Sequence, residues 1–104
     1  MLRRAEDLLP DSPDLRHLTR VRARRARWLR LAGRPDEASA GREETEKGLE
    51  PGELSPEHIV WLVESALAAG TDAERATWEE RLDELSRHTG VCVPPWERAL
   101  LARS

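Results

Sequence analysis

Residues 29–38 read LRLAGRPDEA. A helical pattern runs into this stretch and stops at Gly33, the residue type favoured just past a helix C-terminus because a left-handed backbone costs it nothing. A second helical pattern restarts at Pro35, whose fixed φ suits the first helical position. A helix that stops and restarts within so few residues doubles back, so the stretch predicts an antiparallel helical hairpin. The same punctuation recurs along the chain. Ser12-Pro13 and Ser55-Pro56 each set a capping hydroxyl ahead of a proline. Thr71 with Glu74 is a capping box. Gly48, Gly70 and Gly90 each follow a helical pattern. The spacing predicts helices over 2–9, 13–32, 35–47, 56–69, 72–88 and 95–103. No segment alternates with period two over a useful length, Val91-Cys92-Val93 being too short to count. The fold class is all-α, in a single domain spanning residues 1–104.

Each helix can be given faces at roughly 100° per residue. Over 13–32, Leu15, Leu18, Val21, Ala26, Trp28, Leu29 and Ala32 share one broad arc, and Arg16, Arg20, Arg24, Arg27 and Arg30 share the opposite one. Over 56–69 the apolar face is Ile59, Leu62, Val63, Ala66 and Leu67, and over 72–88 it narrows to Trp78, Leu82 and Leu85. The helix at 35–47 has only a strip of Ala38, Gly41 and Thr45 leading to Leu49. Small residues at that spacing let a neighbouring backbone come close, so this helix is expected to pack by proximity rather than by bulk.

Composition sets the outer limits. The chain has 104 residues, 38% hydrophobic and 36% charged, and Leu, Ile, Val and Phe together are about 20%. That is near the limit for disorder, but thirteen alanines permit close helix packing. A multidomain enzyme, a disulfide scaffold and an aliphatic β-sandwich are all excluded. Cys92 is the single cysteine, so a reducing compartment is the expectation. The opening MLRRAEDLLP is too short in its apolar part for a secretory signal, and no run approaches a membrane span. A cytoplasmic location is expected. The net charge of −3 hides an asymmetry: ten arginines face four acids in residues 1–34, whereas sixteen acids face seven basic residues in 35–104. A basic N-terminal helix set against an acidic remainder points to an oppositely charged partner, or to one part covering the other.

Prolines and glycines that close or open helices recur at roughly 40 residues. On LRLAGRPDEA, with its hairpin glycine and the alanine at position 38, the chain resembles a tetratricopeptide (TPR) repeat. AEDLLP at 5–10 resembles the end of such a repeat's second helix, through Ala5, Leu8 and Pro10, and AAGTDAERA at 68–76 keeps the glycine and an alanine. The likeness covers residues 1–49 well and 55–88 more weakly. Arg22 and Arg25 depart from it, standing where the family places large apolar residues, and Arg42 stands where an aromatic is usual. The spacing from Ala5 to Ala38 is about six residues longer than the standard repeat, as in the longer TPR-like repeats of large bacterial transcription regulators. HEAT-like hairpins have a similar period and remain an alternative. The resemblance implies a right-handed α-α superhelix of about two and a half hairpins. It also implies a non-catalytic adaptor, docking or regulatory role, as a piece of a longer array or as a small subunit docking on one.

The candidate partner-binding residues are Arg16, Arg20, Arg24, Arg27, Arg30, Trp61, Glu57 and Glu64. Five guanidinium groups on one stripe suit phosphates or an acidic partner; the alternatives are a solvated face or one covered by the acidic half. Trp61 sits among Glu57, His58, Glu64, Ser65 and Ala68, so it is either an exposed hot spot beside carboxylates or packed under a flanking helix. Trp28 and Trp78 are expected in the core, and Trp96 is expected to anchor the last helix. Arg22 and Arg25 are expected to pack their stems and pair with acids of the next helix, such as Glu43 or Glu46. No catalytic residue, metal site or cofactor is expected. His88 and Cys92 are split by Gly90, and His17, His58, His88 and Cys92 lack metal-ligand spacing. The leading expectation is a protein partner, self-association included. Nucleic-acid binding through the 16–30 stripe is the first alternative and a small Cys-dependent enzyme the second.

Overall fold

The computed structural model describes residues 12–50 and 52–103 of the chain. The helix expected at 2–9 lies outside these, as does the side chain of Arg16. Five helices follow one another: α1 (Ser12–Leu31), α2 (Pro35–Lys47), α3 (Pro56–Leu67), α4 (Asp72–Thr89) and α5 (Pro95–Arg103). All regular structure among the described residues is helical. The protein is all-α. The helix starts follow the sequence signals closely. Ser55 Oγ accepts from the His58 N–H at 3.2 Å, and Thr71 Oγ1 accepts from the Glu74 N–H at 3.1 Å. The return half of the second box is displaced by one residue, Glu74 Oε2 accepting from the Gly70 N–H at 3.2 Å. Ser12 is already inside α1 rather than ahead of it.

The glycines divide into two kinds. Gly33 (φ +77°) and Gly90 (φ +76°) are left-handed. At Gly33 the Arg34 N–H reaches the Leu29 carbonyl and the Gly33 N–H reaches the Arg30 carbonyl, the paired bonds of a Schellman stop. Gly48 is different, with φ −98°. It is needed for space: a β-carbon there would lie 3.1 Å from Thr19 Cβ and closer still to Thr19 Oγ1.

That contact belongs to the α1–α2 hairpin, which closes through small side chains. Ala23, Ala26, Ala38, Thr19 and Thr45 are all buried, and a β-carbon on Gly41 would stand 3.3 Å from Ala26 Cβ. The α2 strip does pack by proximity. The bulkier core lies on the other side, where Leu54, Ile59, Trp61, Leu62, Val63, Ala66, Leu82 and Leu101 form one cluster flanked by Trp78, Leu85 and Leu100. At its centre is α3, which packs against all four other helices. Nine of its twelve residues are buried, including Glu57, His58, Glu64 and Ser65. The polar side that a helix wheel assigns to solvent is therefore covered as well.

Candidate binding surfaces and the arginine–glutamate network

Covering a helix that carries Glu64 obliges its neighbour to supply cations, because an unpaired buried carboxylate is costly. Helix α1 does so. Arg27 Nε donates to Glu64 Oε2 at 2.8 Å, and its two terminal nitrogens donate to Glu97 of α5 at 2.9 and 2.5 Å. Arg30 Nε reaches Glu64 Oε1 at 2.5 Å and its Nη2 reaches Oε2 at 3.1 Å. Glu64 is 1% exposed and Glu97 4%. Burial works against the Arg27 charge, yet the hydrogen bonds and charges of Glu97 and Glu64 outweigh it and hold the guanidinium above its ordinary range. One arginine thus ties α1, α3 and α5 together.

The five-arginine stripe is consequently not one free surface. Arg27 and Arg30 are engaged internally. Arg20 is half-exposed, with Nε 3.9 Å from Glu57 Oε2, too long for a hydrogen bond. Arg24 is exposed and has no ion-pair partner among the described residues. Glu64 is taken up by Arg27 and Arg30 inside the fold, and Glu57 is buried.

Trp61 is also inside. It is 6% exposed, its indole N–H donates to the Arg42 carbonyl at 3.1 Å, and its ring meets Trp78 edge-on at 5.3 Å. Arg81 caps both rings at 5.5 and 5.7 Å. It is the packed alternative, not the exposed one, that the structure shows for Trp61. Three other expectations fail. Trp28 is 61% exposed rather than core. Trp96 is 67% exposed, and α5 is anchored instead by Glu97 and Leu101. Arg22 is half-buried and Arg25 exposed, and among the described residues neither pairs with Glu43 or Glu46.

The Trp28 result follows from the orientation of α1. Turning Arg27 and Arg30 toward α3, and Ala26 toward α2, leaves most of the large apolar side chains of α1 pointing outward, Leu29 alone of those among the described residues staying buried. Leu18 (36%), Val21 (46%), Trp28 (61%) and Leu31 (68%) are exposed on this one helix. Other residues of α1 line a cleft of about 370 Å³. Its lining comes from Arg20, Ala23 and Arg24 of α1, from Glu57, Ile59 and Val60 of α3, and from Val91, Cys92 and Trp96. Cys92 is exposed here, whereas His88 lines a separate depression with His58 and Arg81. Among the described residues no cluster of His, Cys, Asp and Glu fits a metal ion, and no helix is long and apolar enough to cross a membrane.

The outward apolar arc was readable as apolar from the sequence, but its direction was not, because the deciding signal is the two acids at 64 and 97 that recruit the arginines. No family model matches the chain, and no curated protein or solved structure matches it.

Proposed function

We propose that the protein is a non-catalytic interaction module that docks a protein partner on the outer face of α1. One observation carries this reading: Leu18, Val21, Trp28 and Leu31 stand exposed on a single helix while the alanines of that helix are buried. Large exposed apolar side chains gathered on one helix mark interaction sites, and an exposed Trp flanked by arginines is the side-chain chemistry that dominates protein interfaces. The TPR-like reading of LRLAGRPDEA supports the same class of role. The nucleic-acid alternative is weakened by the engagement of Arg27 and Arg30, which leaves fewer cations for phosphates.

A photo-crosslinking residue placed at position 28, and separately at position 84 on exposed α4, tests the proposal in the native host. A protein adduct formed from position 28 and absent from position 84 is expected, and its mass separates a second copy of this chain from another protein. Equal labelling at both positions, or none at 28, contradicts it.

A further inference from the structure

The cleft between α1, α3 and α5 holds two polar groups that the fold leaves incomplete. Glu57 Oε2 is buried and has no hydrogen-bond partner, on a side chain only 8% exposed. Arg24, on the α1 side of the same cleft, is exposed and unpaired among the described residues. An unpaired buried carboxylate oxygen is costly, whereas Glu97, the other carboxylate lining the cleft, already takes two bonds from the Arg27 guanidinium. The rest of the lining includes Ile59, Val60, Val91 and the exposed Trp96. A small-molecule site has this composition, mostly apolar with a few convergent polar groups, and 370 Å³ lies toward the lower end of the usual size range.

We infer that this cleft binds a free apolar α-amino acid as its zwitterion. Its ammonium group donates to Glu57 Oε2, and its carboxylate is held by Arg24. Its side chain lies against Val60, Val91 and Trp96. Arg20 is the gate. It stands one helical turn from Arg24, half-exposed and 3.9 Å from Glu57, so it can turn outward to admit the ammonium and then join Arg24 on the carboxylate, a geometry that paired guanidinium groups favour. The charges exclude simpler ligands. A plain amine meets uncompensated Arg24, and a plain carboxylic acid leaves Glu57 unsatisfied.

The inference does not depend on the α1 outer face, and the test separates the two. L-phenylalanine and L-leucine are titrated calorimetrically into the full chain, alongside N-acetyl-L-phenylalanine and L-phenylalaninamide, each of which removes one end of the zwitterion. Saturable one-site binding of the free amino acids is expected, weakened at least tenfold by either block. Glu57→Gln, which keeps the side-chain size, and Arg24→Glu, on an exposed side chain, should each cause a comparable loss. The double variant Val21→Glu/Trp28→Glu should bind the amino acids as the parent does. Absence of saturable binding, equal binding of the blocked compounds, or loss of binding only in Val21→Glu/Trp28→Glu overturns the assignment.

Discussion

At the level of single residues, the pair Trp61 and His58 shows how much depends on what covers a helix. Both fall on the polar side of α3 by periodicity, and both are buried. His58 lies against Trp61 with ring centroids 5.7 Å apart. Burial, with the Arg81 charge, pushes its imidazole below the ordinary value of 6.5, against the opposing influence of the Glu53 backbone and the Glu57 charge. The sign for stability follows from linkage. In the folded state His58 binds a proton less readily than in the unfolded chain, so its contribution is present above about pH 6.5 and is lost as the pH falls below it. Thermal unfolding followed from pH 7.5 to 5.5 should show a falling midpoint, and His58→Gln should flatten that fall. An unchanged slope in His58→Gln would place the pH dependence elsewhere. The tryptophans give a second check. Trp28 and Trp96 are exposed while Trp61 is buried, so acrylamide should quench mainly the first two. Replacing Trp28 and Trp96 by Phe should remove most of the quenchable emission; persistence of strong quenching would mean that Trp61 or Trp78 is open to solvent.

At the level of elements, the helices of the described region were legible almost entirely, because stops and starts are local chemistry. Gly33, Ser55-Pro56, Thr71 and Gly90 each act within a few residues of themselves. Packing was legible only where one residue type decides it. The strip Ala38, Gly41 and Thr45 announces a close approach, and α1 supplies Ala26 to meet it. Gly48 does follow the end of α2 as the pattern predicts, but nothing in the local sequence reveals that Thr19 also lies against it. Gly48→Ala should therefore cost about 1–3 kcal/mol through overpacking, read as a thermal midpoint roughly 5–15 °C lower. Gly41→Ala is expected to be close to neutral: the contact with Ala26 at 3.3 Å is tight, but alanine gains about 1 kcal/mol of helix propensity over glycine. Equal effects at the two positions would show that the α1–α2 approach is looser than described.

At the level of the molecule, the basic start and acidic remainder of the chain resolve into a specific internal arrangement. Part of the opposite charge meets inside the fold, where Arg27 and Arg30 of α1 hold Glu64 of α3 and Glu97 of α5. The sequence displayed all four residues and the charge imbalance, but not the pairing, which requires contacts 34 to 70 positions apart. The same pairing fixes the rotation of α1, puts Ala26 on α2, and sends Val21 and Trp28 outward. The exposed apolar face and the arginine network are thus two results of one orientation. A double-mutant cycle between Glu64→Gln and Arg30→Met, followed by urea unfolding, measures that orientation most directly. Glu64 is fully buried and Arg30 retains some access to water, so a coupling of about 1–3 kcal/mol is predicted, below the loss seen when a fully buried pair is broken. Additive effects, with coupling within about 0.3 kcal/mol, would mean that Arg30 stands in solvent as part of an open basic stripe, and would contradict the account.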